Sequence, residues 1–294
     1  LPNPISWYLD GMPLRFHQAG CLFNHFVELI VPWFYFAPRR IRHAAGLVTI
    51  LFQILLILSG NLSFLNWLTI AIAIPCFDDL ALSSVLRMKR PAAAGPLPRI
   101  SRVVLSLLTV LLLLLSVDPV RNMMSSQQMM NASFDQFHIL NTYGAFGVVG
   151  RVRNEIIIEG TNAESPDDSA QWQAYEFLAK PGDPKRRPPF IAPYQSRIDW
   201  QIWFAAMQDY RANPWLIHLL YKLLKNDPLA IGLLKRNPFS NAPPRYIRAD
   251  LYEYRFTKDR SGGAWWQRKK VGSFLRPLSA DDPELKRYIE SHGW

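Results

Sequence analysis

The residue types best suited to chemistry lie in the first apolar stretch of the chain. His25 and Glu28 are three positions apart and share one face of a helix, with Asn24 beside them. An ionisable pair at membrane depth is costly and indicates function, such as holding a proton, a metal or a polar headgroup. A structural pair bonded to a neighbouring helix is the alternative, since the other ligands that a metal needs are not evident. Our hypothesis is a functional intramembrane polar cluster of Asn24, His25 and Glu28, with no metal or cofactor.

Two further patterns point less clearly to chemistry. Asp78 and Asp79 are paired carboxylates, which can perform acid–base catalysis, but at the end of an apolar stretch such residues more often cap a helix or are solvated. Gly144, Gly147 and Gly150 repeat at intervals of three. A phosphate-cradling loop should follow a strand and open a helix, whereas these glycines precede a strand. We therefore expect tight turns there.

No nucleophilic site is indicated by the sequence. There is no G-x-S-x-G motif, and His138, His218 and His292 have no evident partners nearby in the sequence. Cys21 and Cys76 lie at membrane depth, where a thiol tends to stay neutral and inert, and no C-x-x-C motif occurs. We expect no catalytic residues, and we expect that the protein is not an enzyme.

A membrane region must position the polar cluster. Residues 1–117 contain only four of the 23 Asp and Glu residues, and this segregation excludes a single water-soluble globule. The region has four apolar stretches of about 15 to 19 residues, close to the roughly 20 that a spanning helix needs. They cover residues 19–37, 44–59, 62–77 and 103–117. We therefore predict a transmembrane region over residues 1–118 with about four spans.

Basic residues in two of the connecting loops predict the orientation of these spans. The loops contain Arg39, Arg40 and Arg42, then Arg87, Lys89, Arg90, Arg99 and Arg102. Short loops rich in Lys and Arg stay in the cytoplasm. Residues 1–18, the turn at Asn61 and everything after Asp118 are then on the opposite side of the membrane.

Residues 119–294 are predicted to form a folded domain outside the bilayer. From residue 118 onwards the chain has 24 Lys and Arg against 19 Asp and Glu, so much of this surface must be hydrated. The charges are scattered and no nucleic-acid motif accompanies them, so we expect no nucleic-acid partner. Residue patterns predict strands at 151–159, 172–178, 246–256 and 265–275, and helices at 196–210 and 214–224. This order predicts an α+β domain that is largely antiparallel β.

Two N-x-[ST] sequons occur in the predicted non-cytoplasmic parts. Asn61 lies in a turn close against the membrane, where a transferase could scarcely reach it. Asn131 lies about a dozen residues beyond the last span and is the better acceptor if the compartment is secretory. We therefore predict glycosylation at Asn131.

Several runs of residues resemble the lipase maturation factor family, and they follow one another over nearly the whole chain. They are NPISWYL at 3–9, NHFVEL at 24–29 with Pro32, SGNLSFLNW at 59–67, CFDD at 76–79, NTYGAFG at 141–147, KPGDP at 180–184, RRP at 186–188, RIDW at 197–200 and NPF at 237–239. The longer runs are specific to that family.

The resemblance implies a multi-pass membrane protein of the endoplasmic reticulum with a lumenal C-terminal domain. It also implies assistance to the folding, assembly and secretion of lipases, especially homodimeric ones, and no catalytic residues. Immature lipases, the lipid bilayer and other folding or quality-control membrane proteins are the implied partners. Family members usually have further N-terminal spans, and this chain begins with Leu1, so we expect it to be a C-terminal portion. It has no cysteine after Cys76, which argues against thiol exchange.

Three functions remain open from the sequence. The first is a non-enzymatic maturation factor that holds an immature lipase on exposed apolar surface. The tryptophans that could supply such surface, although each is more typical of a core, are Trp172, Trp200, Trp203, Trp215, Trp265 and Trp266. The second is a membrane-embedded enzyme that acts on a lipid or quinone-like substrate through His25 and Glu28. The third is an architectural subunit of a larger membrane complex.

Overall fold

The computed structural model describes residues 1–86, 95–142 and 150–294. Contacts divide the chain into two compact units, Leu1–Asp78 together with Val152–Trp294, and Asp79–Arg151. The predicted turns at Gly144 and Gly147 lie outside the described residues, as does part of the second basic loop.

The α-helices of the described residues are, in chain order, α1 (Pro4–Asp10), α2 (Leu14–His25), α3 (Arg39–Ser59), α4 (Leu65–Ala73), α5 (Asp79–Leu86), α6 (Arg99–Leu115), α7 (Val117–Met123), α8 (Arg197–Ala205), α9 (Pro214–Leu224), α10 (Pro228–Ile231) and α11 (Pro283–Ser291). The strands are β1 (Ala132–Ser133), β2 (Asn141–Thr142), β3 (Arg153–Thr161), β4 (Gln173–Ala174), β5 (Glu176–Phe177), β6 (Leu234–Arg236), β7 (Tyr246–Phe256) and β8 (Trp266–Ser279).

Among the described residues, three helical segments are long and apolar enough to cross a membrane. They are Leu14–Phe36, Arg39–Ser59 and Arg99–Met123. The first continues α2 through a π-helical turn and a 3₁₀ turn. The fourth predicted stretch, residues 62–77, contains a shorter apolar helix, Leu65–Cys76. A proline lies directly before each of α2, α3 and α6, where its missing N–H breaks no helical hydrogen bond.

Helices α3 and α4 and the chain as far as Asp78 form an antiparallel pair, which we call the membrane hairpin (residues 39–78). At its basic end, Arg42 Nε donates to the carbonyl of Cys76 over 3.0 Å. Asp78 accepts a hydrogen bond from Arg39 and lies 3.5 Å from His43 Nε2. The chain after Ser59 therefore returns to the basic end of α3, as the predicted span at 62–77 requires. Asp78 therefore bonds this end of the membrane hairpin to the start of α3.

Residues 152–294, which we call the β domain, are built on an antiparallel sheet with strand order β4-β3-β7-β8. A two-stranded sheet of β5 and β6 lies apart from it. Side chains of β3 and β7 alternate between the two faces, so Ile156, Ile158, Ile247 and Ala249 share a buried core with residues of the helices. The helical part of that core includes Ile202, Leu216, Leu220, Leu223, Leu285 and Ile289. The predicted fold class, a helical membrane region followed by a largely antiparallel α+β domain, is confirmed.

The second unit contains α5, α6, α7 and the short antiparallel pair of β1 and β2. A loop between β1 and β2 is organised by Asp135, whose carboxylate accepts the N–H groups of Phe137, Ile139 and Leu140. These hydrogen bonds, led by those of Ile139 and Leu140, hold the pKa of Asp135 below its usual value. Asn131 immediately precedes β1.

Candidate functional site at the junction of the membrane hairpin and the β domain

The turn of the membrane hairpin contacts the β domain through the side chain of Asn61, which is only 1% exposed. Its amide nitrogen donates to the carbonyls of Pro2 and Pro189, over 2.9 and 2.8 Å. Its amide oxygen accepts from the backbone N–H groups of Ile191 and Ala192, at 3.0 and 3.3 Å. One buried amide therefore joins the N-terminal segment, the hairpin turn and a loop of the β domain.

Helix α1 is attached to the same end of the hairpin by its N-terminal residues. Asn3 caps α1, because its side-chain oxygen accepts the N–H groups of Ile5 and Ser6. The amide nitrogen of Asn3 donates to the carbonyl of Leu58 over 3.0 Å, and Ser6 Oγ donates to the carbonyl of Ser59 over 2.7 Å. These two bonds satisfy carbonyls in the last turn of α3, which have no partners within the helix.

The loop that receives Asn61 is positioned by buried charges at its two ends. Asp199, at the start of α8, is fully buried and accepts the N–H groups of Ala179 and Lys180, each over 2.7 Å. The Lys180 ammonium is buried as well; it donates to the carbonyl of Ile156 and lies 3.4 Å from the Glu155 carboxylate. Breaking such a buried pair leaves an unpaired charge, so the arrangement fixes the path of residues 179–199.

A second ion pair shapes the KPGDP segment of that loop. Arg186 Nη1 lies 3.2 Å from Glu176 Oε2, and its guanidinium also donates to backbone carbonyls of the β domain. The other oxygen of Glu176 accepts the N–H of Asp183 over 3.0 Å. A Cβ atom at Gly182 would overlap the Glu176 carboxylate, so a larger residue there would displace the partner of Arg186.

The turn between β7 and β8, residues 257–265, contacts α1; we call it the hairpin tip. The indole N–H of Trp7 donates to Thr257 Oγ1 over 3.2 Å. The Arg260 guanidinium lies 4.4 Å from the ring centre of Trp7 and 4.3 Å from that of Trp265, and it donates to the Tyr8 hydroxyl over 3.0 Å. A cation in contact with two indole rings is a favourable arrangement, so Arg260 stabilises the contact between the hairpin tip and α1.

The intramembrane polar cluster is only partly assembled. Asn24 Nδ2 donates to Glu28 Oε2 over 3.2 Å, which joins two of its three predicted members. Glu28 lies in the π-helical turn Phe26–Ile30, and both Glu28 and His25 are exposed on the helix surface. Turns of this kind occur frequently at functional sites. Among the described residues, no group of three or more His, Cys, Asp and Glu side chains could hold a metal.

The six tryptophans considered as client-contact surface do not form an exposed patch. Trp200 and Trp266 are buried, with 7% and 4% of their surface exposed. The other four, Trp172, Trp203, Trp215 and Trp265, are half-buried. Five of these side chains pack in or against the hydrophobic clusters, whereas Trp172 contacts the Arg248 guanidinium.

The two sequons differ in accessibility. Asn131 is exposed, with a backbone φ of 56°. Asn61 is buried, and its amide makes the four hydrogen bonds described above. Glycosylation at Asn131 stays a prediction.

Sequence reasoning did not find the junction. It treated Asn61 only as a turn and a sequon, and it gave no role to Arg260. Three runs of the sequence, SGNLSFLNW, KPGDP and RIDW, could have indicated the junction. They lie far apart in the chain, yet their residues Asn61, Lys180 and Asp199 meet in or beside it.

The fold and the junction define a class of protein: a multi-pass helical membrane protein whose antiparallel β domain is bonded to the end of a membrane hairpin. Residues 1–84 match the lipase maturation factor transmembrane domain, and residues 139–276 match the lipase maturation factor C-terminal domain. The chain belongs to the lipase maturation factor family.

Relatives match along the full length of the chain. Lipase maturation factor 1 of Homo sapiens is 46% identical over 319 residues, covering 100% of this chain and 56% of that protein. Lipase maturation factor 1 of Bos taurus is 44% identical over 320 residues, with the same coverage. Lipase maturation factor 2 of Gallus gallus is 26% identical over 406 residues, again covering 100% and 56%. The chain thus spans about half the length of these curated relatives. No solved structure matches it.

Proposed function

We propose that this chain is part of an endoplasmic-reticulum membrane factor that assists the folding, assembly and secretion of lipases, including homodimeric ones. Its β domain would be lumenal and would keep an immature lipase near the membrane without catalysing a reaction. Family membership supports the lipase clients, because relatives over the whole chain carry the name lipase maturation factor. Contacts with other folding or quality-control proteins are part of the same proposal.

The observation that carries the proposal is the Asn61 junction. Its bonds hold the β domain at the end of the hairpin that is opposite to Arg39 and Arg42. Arginine-rich ends of membrane helices stay in the cytoplasm, so a domain bonded to the other end is expected to face the lumen. A secreted lipase folds in that compartment, and a maturation factor needs a folded surface there.

Function can be tested in cells from which the endogenous lipase maturation factors have been removed. Deleting residues 119–294 should abolish secretion of active lipase while membrane insertion persists, and the wild-type tail should resist protease added outside intact microsomes. Full lipase activity with the truncated protein would contradict the assignment of the client role to this domain. Digestion of the tail in intact microsomes would contradict its lumenal position.

Separate substitutions distinguish this function from a membrane enzyme that uses the polar cluster. If the polar cluster is the active site of an enzyme, His25→Ala and Glu28→Gln should each remove activity while the abundance of the protein stays unchanged. If the cluster is structural, abundance should fall together with lipase secretion. The bond between Asn24 and Glu28 favours the structural outcome for Glu28, because it already occupies one carboxylate oxygen.

A further inference from the structure

A cavity of about 570 Å³ lies beside the contact between α1 and the hairpin tip. Its walls come from the last turns of α1, the turn into α2, and the end of β7. The volume is within the roughly 300–1,000 Å³ of small-molecule sites. This cavity belongs to the first unit and is separate from the Asn24–Glu28 pair and from Asn61.

The cavity lies beside the start of a membrane-crossing segment. Its lining includes Met12, and the membrane-crossing segment Leu14–Phe36 begins two residues later. Trp7 and Tyr8 line the same cavity, and aromatic residues of these types are typical of the membrane–water interface. Tyr8 and Met12 are 50% and 43% exposed, so the cavity is open at these two residues.

One carboxylate and one ammonium group line the cavity, Asp10 and Lys258. Within the described residues neither group has an ion-pair partner, and both are exposed. Asp10 is the last residue of α1, where the helix dipole disfavours a negative charge, so helix stability does not explain its position. The lining residues of the cavity therefore carry one charge of each sign, and the Arg260 guanidinium contacts Trp7 and Tyr8 of the same lining.

The aromatic side chains of the lining, Trp7, Tyr8 and Phe256, form a wall that is held in place before any ligand binds. Trp7 is fixed by its hydrogen bond to Thr257 and by Arg260 over its ring, and Phe256 stacks on Trp266 at 4.2 Å. Aromatic rings beside a carboxylate are suited to a substituted ammonium ion, and a lysine is suited to a phosphate.

We propose that this cavity binds the headgroup of a zwitterionic phospholipid. The choline or ethanolamine ammonium lies against Asp10 and the aromatic wall, and the phosphate accepts hydrogen bonds from Lys258. The acyl chains leave past Met12 along α2 into the bilayer. The bound lipid bridges α1 and the hairpin tip and ties the β domain to the membrane surface, whether or not the protein serves lipases.

The test is native mass spectrometry of the purified chain in detergent with equal amounts of phosphatidylcholine and phosphatidylglycerol that have the same acyl chains. Wild type should retain phosphatidylcholine preferentially. Asp10→Asn should lower the ratio of phosphatidylcholine to phosphatidylglycerol by about three- to fivefold, since it removes the partner of the ammonium. Lys258→Gln should lower retention of both lipids by a similar factor.

Matched controls are Glu164→Gln and Lys269→Gln, which neutralise exposed charges of the β domain away from the cavity. Both should behave as wild type. If the wild-type protein retains phosphatidylglycerol and phosphatidylcholine equally, the proposal is overturned without any variant. A control-like lipid ratio for Asp10→Asn, or control-like retention of both lipids for Lys258→Gln, would also overturn it, since the retained lipid would then be general annular lipid.

Discussion

Replacing Asn61 by alanine should open the junction while leaving the sheet of the β domain intact. The substitution removes four hydrogen bonds, to Pro2, Pro189, Ile191 and Ala192. At a net value of about 1 kcal/mol for each bond, and with some access of water to the freed groups, the junction loses about 3 kcal/mol. The core around Ile156 and Leu220 does not include Asn61, so its stability should change little.

Hydrogen exchange reports this loss at individual amides. The N–H groups of Ile191 and Ala192 are protected by Asn61, and a loss of about 3 kcal/mol raises their exchange rate by about 100-fold. Asn61→Asp should raise exchange less than Asn61→Ala, because a carboxylate can still accept the N–H groups of Ile191 and Ala192 although it cannot donate to the carbonyls of Pro2 and Pro189. Amides of β3 and β7 should exchange as in wild type.

Asn66→Ala is the matched control, because Asn66 is also a buried asparagine of the membrane hairpin. It donates to Gln53 over 2.7 Å within the hairpin, so its loss should leave the amides of Ile191 and Ala192 protected. If Asn61→Ala changes exchange at these two amides by less than about threefold, water replaces the side chain at little cost. A net value of about 1 kcal/mol for each hydrogen bond would then be too large for this site.

Three further predictions concern other parts of the chain. Gly46→Val should lower the free energy of unfolding of the detergent-solubilised protein by about 2 kcal/mol, because a Cβ at this position lies 2.7 Å from Cys76 Cβ. Gly20→Val is the control and should be neutral, because a Cβ at Gly20 has no atom within 4 Å. Burial, together with the positive charge of Lys222, lowers the pKa of His218 below its usual 6.5, so the folded protein favours the neutral imidazole. The melting temperature should therefore fall as the pH drops through 6.5, and His218→Phe should weaken this dependence. Asn131→Gln should abolish a glycosidase-sensitive mobility shift in microsomes, and a shift that persists would contradict glycosylation at this sequon.

Much of the β domain could be predicted because its strands and helices have strong local patterns. The range Tyr246–Phe256 and the range Pro214–Leu224 agree with prediction at both ends. The predicted strand at 172–178 is divided instead, because β4 pairs with β3 whereas β5 pairs with β6. Helix α11 escaped prediction because only a narrow stripe of its surface is apolar, with Leu285 and Ile289 buried. The division of strand 172–178 comes from tertiary pairing, which local residue patterns do not encode.

The candidate site could not be predicted in the same way, because its bonds join residues that are far apart in the chain. Asn61 and Pro189 are 128 positions apart, and Trp7 and Thr257 are 250 apart. Spacing arguments apply to neighbours on one helix or strand, as for Asn24 and Glu28, which do meet. They cannot show that the side chain of a turn asparagine satisfies backbone groups of a proline-rich loop.

The distribution of these contacts bears on how such a protein would act on a client. In the described first unit, the β domain is bonded to the membrane hairpin through Asn61 and, at a separate place, to Trp7 of α1 through Arg260. Helix α1 is itself bonded to the membrane hairpin through Asn3 and Ser6. Two attachments restrict rotation of a domain far more than one, since a single hydrogen-bonded contact still acts as a pivot. A domain fixed in this way presents the same surface at the same distance from the bilayer. That is useful to a factor that must hold an immature partner beside the membrane, and it requires no catalytic group.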